Sequence, residues 1–446
     1  MLVATRLTGA IKSISELREG GVSVSITHTY GVYKSFSAAE HGEGYGRWDV
    51  FRKMCGWLGR VSEFLRKMCF RDESTQNGGA YIFRPTSDFE VISPGSVVVY
   101  ESDLVTEVHT EFGDPAWIKQ ITRLTDGMDY VEVEYVVGPV PVDDGVGKEV
   151  ISKYSTTIES QGFFYTDSNG REFIRRKRGD HRVFGYDTEG YNPGLEPVAA
   201  NYFPVNAALF IEDESRSLTV LTDRSQGGSS LSDGALELMI QRRLLYDDAR
   251  GVGEPLNETN GGITSCPPYG DSTRLGSGVI TKGSHRLMIG KNGASLARSQ
   301  MDKVFSQPHI FVASTPKDIQ IPFHQPGLSM LKASLPENVM IVTFSASNAG
   351  STFLVRLAHQ YGIDEDHHSS APAHVDLQDL FPNHHIASIT EMTLSANQVR
   401  ADWEKRRLRW SGNKEEASLD DSTTVVVLKP LEIRTFEISV VSSKSK

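Results

Sequence analysis

The 446-residue sequence has little of several features that would narrow its function at once. Its three cysteines, Cys55, Cys69 and Cys266, leave one unpaired in any scheme, so no disulfide framework is implied. No apolar run reaches the roughly 18 residues that a membrane-spanning helix needs. Residues 1–12 also lack the apolar core of a secretory signal, so taken literally the chain would stay in the cytosol.

A surplus of positive charge is missing as well. The formal net charge is −11 and the isoelectric point is near 5.7. Nucleic-acid binding usually needs a concentrated basic surface, so we expect no nucleic-acid partner. Apolar residues make up 39% and charged residues 23% of the chain, as in ordinary globular proteins. The length is sufficient for two or three domains, each with its own core.

No catalytic signature of a common kind is present. The sequence has no Gly-x-Ser-x-Gly elbow. The glycine-rich segment 222–230 lacks the Gly-Lys-Ser/Thr ending of a phosphate loop, and we interpret it as a tight structural turn in which Asp223 and Arg224 can pair.

Histidines gather between residues 359 and 385, where six of the 13 lie. Imidazole and carboxylate groups are proper zinc ligands. Neighbouring residues on a strand point to opposite faces, however, and the spacing matches no ordered zinc pattern. We interpret 364–368 as a solvated loop, and His374-Val-Asp376 as a coincidental His-x-Asp.

Most of the sequence predicts β-structure. Residues 131–137 alternate between apolar and polar positions, and short β-branched or aromatic runs lie between turn residues throughout the chain. Residues 233–245 are ambiguous, because their composition favours a helix whereas the alternation of Leu236, Leu238 and Ile240 favours a strand. We predict a strand there. The other predicted strands include 97–100, 207–211, 218–222, 339–344 and 424–428.

Two segments depart from the β pattern. Residues 48–70 have helical apolar spacing, and 47–71 carry seven Lys/Arg against two Asp/Glu. A basic amphipathic helix can bind membranes or calmodulin-like partners. A helix packed on a sandwich, or a wrongly predicted exon, explains the pattern equally well and is the interpretation we favour. Residues 260–282, rich in Gly, Ser, Thr and Pro, predict a surface loop.

Several segments together carry a family resemblance. They are 79–85, with the sequence Gly-Ala-Tyr-Ile-Phe-Arg-Pro, 164–172, 196–206, 218–255, 376–381, 393–400 and 428–436. In these segments the chain closely resembles the C-terminal half of glycoside hydrolase family 38, the retaining α-mannosidases, in its lysosomal branch. The resemblance covers nearly the whole chain except the basic insert and residues 260–310.

The resemblance implies an all-β fold. It predicts a galactose-mutarotase-like supersandwich over residues 1–312, interrupted by the atypical basic insert at about 44–76. A linker at 313–335 and a smaller C-terminal β-sandwich at 336–446 would follow. Residues 7–14 resemble an early strand of that sandwich, so we expect Met1 to lie inside a domain and the sequence to be a partial gene product.

The activity implied by the resemblance is hydrolysis of terminal α-mannose from N-glycan-derived oligosaccharides, in the lysosome or vacuole. The family holds its zinc ligands and its nucleophile in an N-terminal α/β domain. We therefore expect zinc in the full-length family enzyme, its ligands absent from this chain, and an N-terminal catalytic domain as partner in cis or in trans. The chain alone is predicted to be inactive.

Three residues are predicted, by resemblance, to contact sugar in the shared cleft. Tyr81 belongs to the Gly-Ala-Tyr segment, and the family's arginine corresponds to Arg242 or Arg243. A phenol can hydrogen-bond a sugar hydroxyl, and a guanidinium suits hydroxyl pairs. The structural alternatives are a rim or core role for Tyr81 and a salt bridge from the arginines to Asp247 or Asp248.

Other functions stay open at this stage. The main rival is a carbohydrate-binding or scaffolding module without catalysis, and a mutarotase-like epimerase is a distant third. Asn257 begins the sequon Asn257-Glu-Thr259 and is a candidate for glycosylation if the chain enters the secretory pathway.

Overall fold

The computed structural model describes residues 2–4, 13–16, 21–36, 77–180, 196–251, 253–261, 276–310, 331–347, 350–408 and 423–442. The chain divides into two compact units. The first comprises residues 1–170 and 174–297, and the second residues 171–173 and 298–446. Among the described residues, no helix is long and apolar enough to cross a membrane.

One face of the first unit is an eight-stranded antiparallel sheet. Its strands follow the order β1-β2-β3-β9-β16-β15-β12, with β4 paired to β3. The bounds are β1 Leu2–Ala4, β2 Ser13–Glu16, β3 Ser23–Lys34, β4 Glu90–Val91, β9 Lys148–Thr156, β12 Phe203–Val205, β15 Gln226–Ser229 and β16 Ala235–Arg243.

The opposite face is a nine-stranded sheet in the order β11-β10-β13-β14-β17-β8-β7-β6-β5. The bounds are β5 Pro94–Glu101, β6 Val105–Phe112, β7 Ile118–Thr125, β8 Val131–Val137, β10 Phe163–Ser168, β11 Glu172–Lys177, β13 Ala208–Glu212, β14 Ser217–Thr222 and β17 Thr281–Gly290.

The two sheets bury their facing side chains in a common core. Alternate residues of β8, Val131, Val133, Tyr135 and Val137, are buried, as the period of two predicts. They join apolar residues from both sheets in two core clusters. The first unit is thus a β-sandwich, in which alternation decides the buried face of each strand.

The second unit is also built from antiparallel strands. A four-stranded sheet has the order β18-β19-β23-β21, and β20 pairs with β22. Their buried residues share one core with a short 3-10 helix, Leu377–Leu380. The bounds are β18 Val339–Ala346, β19 Thr352–His359, β20 Ala373–Asp376, β21 His384–Met392, β22 Val425–Leu428 and β23 Ile433–Ser442.

The expectation of an all-β chain is confirmed, and the disputed segment at 233–245 is the strand β16. The predicted helix at 48–70 lies outside the described residues. Two α-helices that the sequence did not indicate are α1, Gly293–Phe305, and α2, Arg400–Arg406. A further 3-10 helix covers Ala199–Asn201.

A polar network lies inside the sandwich of the first unit. Nε2 of His28 lies 2.8 Å from Oγ of Ser152. The rings of His28 and Tyr154 stack with their centroids 4.4 Å apart, and the hydroxyl of Tyr154 lies 2.9 Å from Nδ1 of His285. Burial, as the largest cause, lowers the pKa of each histidine to about 3. Both imidazoles are therefore neutral at physiological and mildly acidic pH.

Candidate functional site

The segment that carries Tyr81 is a short loop at residues 77–83, next to the end of β3. Its backbone is tied down at several points, including Gly78 N to Phe36 O at 3.0 Å and Gly79 N to Ile82 O at 2.9 Å. The side chain of Tyr81 is 65% exposed. The loop therefore presents an accessible phenol on a fixed backbone, which favours the rim position over the core position considered for this residue.

Asp248 holds the loop from the segment that follows β16. One carboxylate oxygen, Oδ2, accepts hydrogen bonds from the backbone N–H groups of Tyr81 at 2.6 Å and Ile82 at 3.0 Å. The other oxygen accepts from the N–H of Arg250 at 3.1 Å. Asp248 is fully buried. A buried carboxylate bonded to backbone donors fixes both its own position and theirs.

The close approach of the loop to Asp248 explains why residue 79 is glycine. A Cβ atom placed on Gly79 would lie 2.6 Å from the Cβ and 2.7 Å from the backbone nitrogen of Asp248. Both are atoms that cannot turn aside as a flexible side-chain end does. The Gly-Ala-Tyr sequence is thus required by packing, before any contact with a ligand.

We expect Gly79→Ala to destabilise the first unit by about 1–3 kcal/mol, because the added methyl group forces the loop away from Asp248. The measurement is the free energy of unfolding in urea. Gly95→Ala is the matched control, since a Cβ there would meet its nearest neighbour at an ordinary 3.5 Å. Equal losses in the two variants would show that the close contact at Gly79 has no energetic weight.

Arg242 clamps the same loop from β16. Its Nη2 donates to the carbonyl of Ile82 at 3.0 Å, and Nη1 lies 3.4 Å from the carbonyl of Ala80. The same guanidinium forms a two-point ion pair with Glu149 of β9, through a very short Nε–Oε2 contact and an Nη2–Oε1 contact of 2.9 Å. The ion pair of Arg242 is therefore made with Glu149, and not with the adjacent aspartates considered from the sequence.

Glu149 is the residue that sequence reasoning missed. It has no exposed surface, and it lies opposite Arg242 in the register of β9 and β16. Burial raises the pKa of its carboxyl group, and the guanidinium of Arg242 opposes that rise. A Lys-Glu dipeptide in a predicted strand gives no sign of this role, because the pairing joins residues 93 positions apart.

Arg243 points to the other side of β16, as neighbours on a strand do. Its Nε donates to Oδ1 of Asn257 at 2.8 Å, and Nη1 donates to the carbonyl of Val140 at 2.6 Å. Arg242 is therefore the member of the pair that lies beside Tyr81. Asn257 is half-buried, and its side-chain oxygen accepts a hydrogen bond from Arg243. Its glycosylation stays a prediction.

A second buried carboxylate supports the same region. Oε2 of Glu237 accepts hydrogen bonds from the hydroxyls of Tyr33 and Tyr202, both at 2.9 Å, while Nζ of Lys153 lies 2.9 Å from Oε1. The ring of Tyr202 meets that of Phe83 edge-on at 4.9 Å. Burial raises the pKa of both tyrosines, so their hydroxyls remain protonated donors. This cluster steadies the end of the Tyr81 loop.

The other sequence candidates have structural partners. Asp223 and Arg224 pair at 2.9 Å, as predicted. Asp376 caps the 3-10 helix by accepting from the N–H of Gln378 at 3.0 Å, while His374 is exposed on β20. His359 is buried and contacts the carbonyls of Tyr361 and Ala371. These contacts account for the His-x-Asp pattern without a metal.

The described part of the chain does not fit a zinc ion. Across those ranges, no group of three or more His, Cys, Asp or Glu side chains is arranged to hold a metal. Catalytic zinc in proteins is held by about three such ligands. No step that depends on zinc is therefore assigned to the described residues.

Two family models match the chain. Residues 63–250 match the glycosyl hydrolases family 38 C-terminal domain, and residues 338–436 match the glycosyl hydrolases family 38 C-terminal beta sandwich domain. The first match contains the Tyr81 loop, Glu149, Arg242 and Asp248. The second lies in the second unit.

Curated relatives carry the same family assignment. The chain is 41% identical over 384 residues to the lysosomal alpha-mannosidase of Cavia porcellus and 40% identical over 384 residues to that of Homo sapiens. It is 39% identical over 380 residues to an alpha-mannosidase of Arabidopsis thaliana. These alignments cover 82–83% of this chain but only 35% of each relative. The chain thus spans about a third of the length of the relatives it matches.

Solved structures agree at the level of the fold. A glycosyl hydrolase family 38 protein and an alpha-mannosidase, both from Enterococcus faecalis, superpose with TM-scores of 0.52 and 0.53 at 10% identity. Each superposition covers 98% of this chain and 44% or 43% of the other.

Proposed function

The chain belongs to glycosyl hydrolase family 38 through its two C-terminal domains, and from that premise we propose that it is the β-rich part of a retaining, zinc-dependent α-mannosidase. The substrate would be terminal α-mannose on N-glycan-derived oligosaccharides. We place the zinc, the nucleophile and the acid in an N-terminal catalytic domain, joined in cis or in trans. The names of the mammalian relatives support the lysosome, or the vacuole in a plant-like cell, as the location.

The observation that carries the proposal is the presentation of Tyr81. Its backbone is held by Asp248 and Arg242, while its phenol is exposed. A structural tyrosine would bury its ring, whereas a residue that meets a ligand must be accessible and held in position. In this proposal the Tyr81 hydroxyl hydrogen-bonds a sugar hydroxyl or a catalytic carboxylate across the cleft.

Arg242 has a different part in the same proposal. Its donors are engaged by Glu149 and the loop carbonyls, so it acts first as a positioning residue for Tyr81. Its side chain is not fully buried, which leaves an edge of the guanidinium for a sugar hydroxyl. Arg243, tied to Asn257 and Val140 on the other side of β16, is the weaker candidate for a sugar contact.

A hydrolysis assay tests the proposal. The 446-residue chain, supplied with zinc at acidic pH, is expected to release no 4-nitrophenol from 4-nitrophenyl α-mannoside above background. The positive control is a mammalian lysosomal α-mannosidase under the same conditions. Clear turnover by the purified chain, lost in Arg242→Ala or Tyr81→Phe, would mean that the catalytic carboxylates lie within these 446 residues and would contradict this assignment.

A carbohydrate-binding or scaffolding module is the second candidate function. The sandwich architecture is compatible with it, and an exposed tyrosine on a fixed loop is as useful to a binding module as to an enzyme. A monomer with mannoside affinity of its own, and with no gain on adding a catalytic domain, would favour the module. Stability or solubility that depends on such a domain would favour the enzyme part.

A further inference from the structure

The second unit has a cavity of about 570 Å³ that the preceding function does not use. It lies between the end of β21, the turn at residues 393–398, the helix α2 and the start of β23. Its lining includes Leu394, Asn397, Gln398, Arg400 and Trp403. A few polar groups beside an aromatic ring in a concave surface are the usual composition of a small-ligand site.

The turn that forms the polar wall is held by its own side chains. Oδ1 of Asn397 accepts hydrogen bonds from the hydroxyls of Thr393 and Ser395, both at 2.8 Å. The backbone adds Thr393 N to Gln398 O at 2.9 Å and Ala396 N to Thr393 O at 2.8 Å. The wall is therefore preorganised and need not be ordered by a ligand.

An ion-pair network supports the cavity from beneath. Glu391 accepts from Nη1 of Arg400 at 2.8 Å, and from Nε and Nη2 of Arg434 at 2.8 and 2.6 Å. Glu391 and Arg434 are almost completely buried. Two guanidinium groups share one carboxylate, so the network has a net charge of +1 and donates more hydrogen bonds than it accepts.

The groups left open to the cavity are hydrogen-bond donors beside an indole. The side-chain oxygens of Asn397 and Gln398 are engaged by the turn hydroxyls and by Arg406, whereas their amide nitrogens donate to no described residue. Trp403 keeps 36% of its surface exposed, and the guanidinium of Arg407 lies 5.2 Å from its ring centroid.

We propose that this cavity, formed by Trp403, Asn397 and Gln398, binds one hexopyranose residue of a glycan. The apolar C–H face of a pyranose packs against an indole, and its hydroxyl oxygens accept hydrogen bonds from fixed amide donors. An uncharged sugar also suits a site whose carboxylate is already neutralised. The inference goes beyond the proposed function, whose sugar contact is Tyr81 in the first unit.

The test is titration of the 446-residue chain with methyl α-mannopyranoside, followed by saturation-transfer NMR and calorimetry. We expect millimolar affinity, and a loss of at least about tenfold in Trp403→Ala. Asn397→Asp is the sharper variant, because its carboxylate keeps the oxygen that clamps Thr393 and Ser395 but removes the amide donor. It should weaken binding by about tenfold without lowering the melting temperature.

Two controls separate this site from the one at Tyr81. Tyr100→Ala removes another exposed aromatic ring, on the edge strand β5, and should leave binding unchanged. Tyr81→Ala should also leave it unchanged. Binding that persists in Trp403→Ala and Asn397→Asp but disappears in Tyr81→Ala would overturn the inference and support the Tyr81 contact. No binding by the unaltered chain at about 50 mM probe would also overturn it, while the hydrolysis assay remains the separate test of the proposed function.

Discussion

Glu149→Ala is expected to destabilise the first unit by about 3–5 kcal/mol, the largest effect of any single substitution considered for this chain. The substitution removes the buried partner of Arg242 and leaves a guanidinium in a site with little access to water. Arg242 also donates to the carbonyl of Ile82, so the Tyr81 loop loses a fixed neighbour at the same time. Urea unfolding at neutral pH measures the loss.

The two-point geometry and the burial of Glu149 distinguish this pair from surface ion pairs. Glu111→Ala is the matched control, because Glu111 pairs with Lys119 at 3.3 Å with both side chains well exposed. Exposed pairs contribute about 0–1 kcal/mol. A double variant, Glu149→Leu with Arg242→Met, should lose much less than the single variant, since no unpaired charge is then buried.

Peptide-resolved hydrogen exchange would locate the effect. Glu149→Ala should increase exchange in β9, in β16 and in the loop at residues 77–83, while Glu111→Ala should not. A loss no larger than that of Glu111→Ala would show that the pair is solvated and that the loop does not depend on it.

Acidification is expected to destabilise the first unit through its two buried histidines. Each has a folded pKa of about 3, lowered first by burial, against an ordinary value of 6.5. The unfolded chain therefore binds protons that the folded chain refuses. The stabilising contribution is complete above pH 6.5 and is lost progressively as the pH falls from 6.5 towards 3. At pH 4.5 each histidine accounts for a loss of about 2.7 kcal/mol relative to neutral pH.

The test compares free energies of unfolding at pH 7 and pH 4.5. His28→Phe keeps an aromatic ring against Tyr154 but removes one titrating group, so the difference between the two pH values should shrink by about half. Tyr30→Phe is the matched control in the same core, because the Tyr30 hydroxyl has no hydrogen-bond partner among the described residues and does not titrate in this range. An undiminished difference in His28→Phe would mean that His28 is protonated in the folded state.

The strands were the most predictable part of the fold. Alternation at 131–137 and the apolar runs at 207–211 and 218–222 correspond to β8, β13 and β14. Even β16, where composition favoured a helix, follows its alternating leucines. Period-two patterning is a local property, because each side of a strand meets either the core or another layer.

The helix α1 and the roles of buried polar residues were not predictable in the same way. Gly293 begins α1 in a segment that has neither a strong apolar periodicity nor a clear start signal. Glu149 and Glu237 look like ordinary polar positions of strands, yet both are fully buried. Burial of a charge depends on which layer covers the strand, and local sequence carries no record of that layer.

For the candidate site, the resemblance pointed to Tyr81 and the arginine pair, but it left open which arginine lies beside the tyrosine. The structure separates the two, since Arg242 clamps the Tyr81 loop and Arg243 turns to Asn257. The sequence by itself determined the all-β class, most strands and the family, because these follow from short-range periodicity and contiguous motifs. Only the tertiary structure decided the partners of Arg242, Asp248 and His285. Those contacts join residues far apart in the chain, and they form only when strand register and sheet packing bring them within hydrogen-bonding distance.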